Sequence, residues 1–268
     1  MKNINEFFES IDISSLAEYE SKMLDLQNYR FRSNFDFFYR GHSINNFQLE
    51  SGLSRMKKYD IHYLKIIEES LFEEFKKVYQ SNPNVVTPYN EDIRNEWHVF
   101  FQAQHLGLKT RLLDWSLSWR VALWFAVEDE KYFDEDGVVW IFACLKENQV
   151  NVDSLKVLSA SCHPFEIIED YMINVPIFVD DNLDGGLAQN RMRIQNGRFW
   201  IQPLEKSFIS LEKQPKYEEL LYKITINHEY KAKLKEELIE NESLRHEVIY
   251  NRQIPVALEV QKINDSIL

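Results

Sequence analysis

The chain has 268 residues, 44% of them hydrophobic, including 18 Phe, 13 Tyr and 6 Trp; that is enough apolar material for a full-sized core and excludes a disordered chain. Its 31 basic and 43 acidic residues leave a net charge of −12, which repels phosphate backbones and argues against bulk nucleic-acid binding, yet a small anion needs only two or three well-placed cations. No apolar run reaches the ~18–20 residues of a membrane span, and the opening MKNINEFFESIDISS lacks the basic and apolar regions of a signal peptide.

In chain order, the first 30 or so residues read as helical, with Leu16, Met23 and Leu26 spaced among acidic positions. FDFFYRG (Phe35 to Gly41) is aromatic-rich and ends in glycine, which predicts a strand. Between Ile61 and Gln80, Leu64, Ile67, Leu71, Phe75 and Val78 recur at helical spacing. SNPNVVTPYN (Ser81 to Asn90) is a loop by its Pro and Asn content. A second helix is expected from Glu91 to Leu106, its line Ile93, Trp97, Phe101, His105 ending at Gly107, a suitable stop.

KTRLLDW (Lys109 to Trp115) reads as a short strand, Leu117 to Val127 as a helix apolar nearly all round, and GVVWIFACL (Gly137 to Leu145) as a buried strand. Later come strand-like PIFVDD, RFWIQPL and YKITI, a charged helix from Glu229 to Asn241, and a tail RQIPVALEVQKI that reads as a closing strand. Helices concentrated in the first half, with strands mostly later, point to an α+β fold with a mixed or antiparallel sheet. No repeat or Pro/Gly/Ser-rich linker divides the chain, which reads as a single domain over 1–268.

Several familiar chemistries are not supported. The 7 glycines form neither GxGxxG nor GxxxxGK[ST], and no GxSxG elbow is present. No HExxH, paired cysteines or clustered His and carboxylates suggest a metal. Cys144 and Cys162 make no disulfide framework, which points to a reducing, cytoplasmic setting.

What stands out is polar hardware crowded against apolar segments. Within AQHLGLKTRLLDWSLSWRVALWFAV, His105, Thr110, Arg111 and Asp114 sit beside the most apolar helix. In FDFFYRG, Asp36, Phe38 and Arg40 share one strand face while Phe35, Phe37 and Tyr39 share the other. Arg40 cannot shed its charge, so it either grips a phosphate or carboxylate or pairs internally with Asp36 or Asp114. Gly41 leaves room for a ligand or another segment of chain to approach the backbone.

Asp114 stands where it could cap the apolar helix, and His105 where a cation complements a helix C-terminus, although its line points it inward. RMRIQNGRFWI (Arg191 to Ile201) gathers Arg193 and Gln195 before Gly197, either as ligand contacts or as a turn leading into an edge strand.

YRG (Tyr39 to Gly41), QHLGLKTRLLDWS with ALWFA (Gln104 to Ala126) and RMRIQNGRF (Arg191 to Phe199) resemble, in order and spacing, the FRG domain family over roughly residues 30 to 205. Tyr39 replaces the Phe of the family's name, and a proline usual after the DW pair is absent near Trp119. Residues 1–30 would then be a helical N-terminal extension and 206–268 C-terminal elements of the same domain. The family occurs in bacteria and phages.

By analogy, ADP-ribosyltransferases open with an aromatic-Arg-Gly strand whose arginine anchors the NAD phosphates. The resemblance therefore implies an ADP-ribosyltransferase-like fold and an NAD-handling enzyme, an ADP-ribosyltransferase or NAD glycohydrolase acting as a toxin or phage-defence effector. NAD would be a substrate rather than a tightly bound cofactor. Arg40, His105, Asp114 and Gln195 would be catalytic, with Tyr39, Gly41, Thr110, Arg111, Trp115 and Arg193 around the ligand, and Glu247 as a stand-in for a late glutamate. The other reading is a non-catalytic module for a nucleotide-like or other anionic ligand. Both expect Arg40 and the mid-chain cluster to meet at one hollow. No protein partner is identified.

Overall fold

The computed structural model describes residues 13–30, 34–56, 58–81, 93–151, 163–174, 194–242, 244–245, 249 and 255–266. The elements run α1 (Leu16–Arg30), β1 (Phe35–His42), α2 (Ile61–Ser81), α3 (Ile93–His105), β2 (Leu113–Ser116), α4 (Trp119–Val127) and β3 (Gly137–Leu145). They continue with β4 (Gln149–Asn151), β5 (Tyr171–Asn174), β6 (Gly197–Ile201), α5 (Leu204–Ser207), β7 (Leu221–Ile226), α6 (His228–Glu242) and α7 (Pro255–Ser266). The class is α+β, and the described strands pair antiparallel except β4 with β5.

The chain forms two compact units, each drawn from three stretches: Met1–Gln48, Trp115–Asn148 and Glu212–Ile249 in the first, Leu49–Asp114, Gln149–Leu211 and Tyr250–Leu268 in the second. In the first unit β3 is the central strand. β1 pairs along its whole length, from Phe35 opposite Leu145 to His42 opposite Val138, and β7 pairs on the other side. That explains why GVVWIFACL lacks polar alternation: with neighbours on both edges and both faces covered, all but Leu145 are buried. The Cys144 thiol is pushed up to about 12, chiefly by burial and then by Asp36, and is an inert core group.

Helix α4 is short and apolar, starting at a Ser118 cap whose Oγ accepts from Val121 N at 3.3 Å. It approaches the sheet more closely than side chains normally permit. A Cβ at Gly41 would lie 1.8 Å from the Ala122 carbonyl oxygen, and one at Gly137 would lie 2.6 Å from that of Ala126. The small residues Ala122 and Ala126 complete the fit. On its other side α4 packs against α6. From α6 the fully buried Lys231 donates to Ser43 O at 2.9 Å, Glu135 O at 3.0 Å and Tyr132 O. All three ammonium protons are thereby used on carbonyls; burial lowers the Lys231 pKa, and the acidic residues around it, Asp129 first, oppose that shift.

In the second unit α2 and α3 press aromatic side chains onto β5 and β6: Phe72 meets Phe100 edge-on at 5.3 Å, and Phe101 stacks on Phe199 at 4.8 Å. Helix α3 ends in a Schellman motif, with Leu108 N bonded to Ala103 O and Gly107 N to Gln104 O, Gly107 adopting φ +97°. Asn264 of α7 locks that turn, donating to Gly107 O at 2.9 Å and accepting from Lys109 N at 3.1 Å.

Two expectations are corrected. The tail from Pro255 is a helix, not a strand, because Val260 and Asn264 are buried at helical spacing. KTRLLDW is strand only from Leu113. Before that, Thr110 Oγ1 accepts from Leu112 N and the Arg111 N–H goes to Glu68, so side chains take the amides a ladder would need. PIFVDD and most of the loop 81–90 lie outside the described residues.

Two tests follow from this packing. Gly41→Ala should destabilise by about 3 kcal/mol or more, the upper end for overpacking, because the obstruction is helix backbone that cannot rotate away; urea unfolding measures it. Asp136 accepts from His228 N at 2.8 Å and Nδ1 at 2.9 Å, bonds that hold its carboxyl below its ordinary value of 3.8. A depressed folded-state pKa stabilises fully above the unfolded value and is lost as pH falls through the folded one. Asp136→Asn should therefore flatten the melting-temperature profile below about pH 4, the range set by an ordinary Asp.

Candidate functional site

In the first unit Gly41 points its missing side chain at α4, so strand alternation sends Tyr39 to the same covered side and Phe38, Arg40 and His42 to the opposite face. The space at Gly41 is filled by the Ala122 backbone and is not left for a ligand, and Tyr39 is buried on that same side. Arg40 remains half-buried, with its Nε donating to His42 Nε2 at 2.9 Å. Since Nε2 accepts, His42 is the neutral tautomer with its proton on Nδ1, which faces Phe47 O at 3.3 Å. The histidine is a neutral orienting partner for the guanidinium.

The same face carries Trp115, whose ring lies 5.5 Å from Phe142, and Trp140, directly opposite Arg40 in the ladder. Both indole N–H groups are shut off from water and have no acceptor among the described residues.

In the second unit the opening polar stretch is bound to itself. Thr110 Oγ1 donates to Gln104 Oε1 at 2.6 Å, and Gln104 Nε2 donates to Asp114 Oδ2 at 2.9 Å. Asp114 is therefore not the cap of α4, a place taken by Ser118; it is held by the end of α3. Gln104 is the residue that orders this chain, and its neighbour His105 turns inward, 5.3 Å from the Phe199 ring.

Arg111 is sealed, with its side chain 2% exposed against Glu68 at 1%. Its Nε donates to Glu68 Oε2 at 2.8 Å, Nη2 donates to the same oxygen, its own backbone N–H reaches Oε1 at 3.0 Å, and the guanidinium lies 5.6 Å from the Phe165 ring centroid. This arginine is a structural ion pair rather than a ligand contact. Gln195 is buried ahead of Asn196, which takes the left-handed conformation with φ +50°, and Gly197. Next to them Arg198 donates from Nε to Asn174 Oδ1 at 3.0 Å and from Nη1 to Gly197 O at 2.7 Å, and desolvation lowers its pKa. Arg193 and Glu247 lie outside the described residues.

The sequence reading passed over His42, Gln104, Glu68, Trp140 and Arg198. Two had signals: His42 lies two residues beyond Arg40 on one strand face, and Glu68 breaks the apolar line between Leu64 and Leu71. Gln104 meets Thr110 and Asp114 only because the chain turns at Gly107, and Arg198 reaches Asn174 and Trp140 faces Arg40 only through strand pairing, which leaves no local trace.

Residues 35–135 match the family model of the FRG domain. That stretch contains YRG and the whole of QHLGLKTRLLDWS with ALWFA, while RMRIQNGRF falls beyond it. Comparison with curated proteins and with solved structures gave no match. No described helix is long and apolar enough to cross a membrane.

If Arg111 and Glu68 form a scaffold pair, Arg111→Met should cost about 3–5 kcal/mol by stranding a buried carboxylate, and adding Glu68→Leu should restore most of it. Equal losses in the single and double variants, read by urea unfolding, would contradict that role.

Proposed function

We propose that this FRG-domain protein handles NAD, cleaving its nicotinamide bond either to transfer ADP-ribose or to release it to water. The observation that supports this most is the Arg40 guanidinium, carried on a strand of Tyr-Arg-Gly sequence and oriented through Nε by neutral His42. A fork so fixed suits a phosphate, and holding it in place beforehand saves ordering cost on binding.

In the second unit Asp114 is steadied by Gln104, and Asp114, His105 and Gln195 are each candidates for a catalytic role. Donors and charges arranged in advance lower a barrier by roughly 3 kcal/mol per group. Arg111 acts only as scaffold. The same reading casts the protein as a bacterial or phage toxin or defence effector working in the cytoplasm.

Gln195 favours a second reading. It is an amide where a catalytic carboxylate would be expected, and an amide cannot carry a proton. A module that binds a nucleotide-like anion without turning it over would need no more.

Purified protein should release nicotinamide from NAD, and Arg40→Ala should reduce that rate about 100-fold or more while keeping the wild-type melting temperature within a few degrees. If wild type and Arg40→Ala are equally silent with a range of protein and nucleic-acid acceptors, the enzymatic reading fails. A rise in melting temperature with NAD but no product supports the binding module.

A further inference from the structure

Ile173 and Phe199 pair across β5 and β6 and belong to the core beneath α2 and α3, so strand alternation turns their neighbours Asn174 and Arg198 to the opposite face. There Arg198 Nε donates to Asn174 Oδ1 at 3.0 Å, across the two strands, and Nη1 donates to Gly197 O at 2.7 Å. Both acceptors are neutral. A guanidinium has five N–H groups, so three remain, two of them on Nη2. Because Nε can only donate, the Asn174 amide must present its oxygen to it, which leaves both N–H groups of Nδ2 as further donors. Neither Arg198 Nη2 nor Asn174 Nδ2 has an acceptor among the described residues, and neither is shut off from water as the Trp115 and Trp140 indoles are.

The charge of Arg198 is also unmatched. No carboxylate lies within ion-pair reach of it among the described residues. Burial lowers its pKa with no acidic residue opposing the shift among the described ones, whereas Asp129 and its neighbours do so around Lys231. A buried arginine that serves the fold has its carboxylate, as Arg111 has Glu68. Asn174 has the shape of aspartate without the charge, so the side chain best placed to neutralise Arg198 holds it by a neutral bond instead. A partly desolvated cation among neutral acceptors destabilises the empty chain, and an incoming anion relieves it.

We propose that Arg198 and Asn174 form a binding site for a phosphate monoester at the end of the β5–β6 pair. A guanidinium fork suits two oxygens of a carboxylate or phosphate. The amide donors from the neighbouring strand serve the third terminal oxygen of a phosphate monoester, which a carboxylate lacks. The site rests on neither Arg40 nor the NAD reading.

Calorimetric titration of the full chain with inorganic phosphate, AMP, adenosine and acetate tests it, using wild type, Arg198→Ala and Asn174→Asp. Wild type should bind phosphate more tightly than acetate, and AMP more tightly than adenosine. Arg198→Ala should weaken phosphate and AMP about tenfold or more, as expected for losing bonds to a charged group. Asn174→Asp keeps the bond to Nε and supplies the missing charge, so it should weaken both anions by a similar factor while melting at or above the wild-type temperature. A purely structural Arg198 predicts the same melting temperature with no loss of binding. If Arg198→Ala folds poorly, Asn174→Asp decides alone.

Phosphate and AMP held by both variants as by wild type would overturn the site. So would wild type that binds neither, acetate bound as tightly as phosphate, or adenosine bound as tightly as AMP.

Discussion

The first unit is organised around one contact, the backbone of α4 resting on the backbone of β1 at Gly41. With no side chain there, the Ala122 carbonyl occupies the space a Cβ would need. Because successive strand residues face opposite ways, fixing Gly41 against the helix fixes Arg40 away from it. The pairing of β1 with β3 and β3 with β7 then carries that orientation sideways, placing Trp140 and Lys223 level with Arg40. A close approach on one face thus decides which chemistry the other face presents.

The polar crowding near the apolar helix has two physical origins. Arg111 is there because Glu68 is: a buried guanidinium and carboxylate satisfy one another and pin α2 to the segment before β2. Thr110, Gln104 and Asp114 form a separate hydrogen-bonded chain that ties the end of α3 to β2 within the second unit. An arginine matched by a buried carboxylate, as Arg111 is by Glu68, serves the fold, whereas Arg40 is half-buried with its Nε on His42. Lys231 shows a third arrangement, a buried ammonium saturated by three carbonyls that staples a loop.

Helix-forming segments were legible because apolar spacing acts within one element. The lines Leu64, Ile67, Leu71, Phe75 and Ile93, Trp97, Phe101 identify α2 and α3 within a residue or two, and Gly107 marks the stop that its positive φ confirms. Local spacing is ambiguous where partners are remote. Val and Ile in the tail suit either strand or helix, and helical burial of Val260 and Asn264 decides for the helix. KTRLLDW is strand over fewer residues than its pattern predicts because Glu68, 43 positions away, and the Thr110 side chain take the amides a ladder would need.

By itself the sequence determined the α+β class, the main helices and strands, the pairing of Arg40 with a glycine, and the FRG resemblance, since each depends on residues close together along the chain. Only the tertiary structure decided that Gly41 yields to a helix, that Arg111 is consumed by Glu68, that Asp114 answers to Gln104, and that Arg40 shares a face with Trp140 and Lys223. Those outcomes depend on register and close packing between segments up to 183 positions apart, from Arg40 to Lys223 (223 − 40), and local spacing holds no record of such pairings.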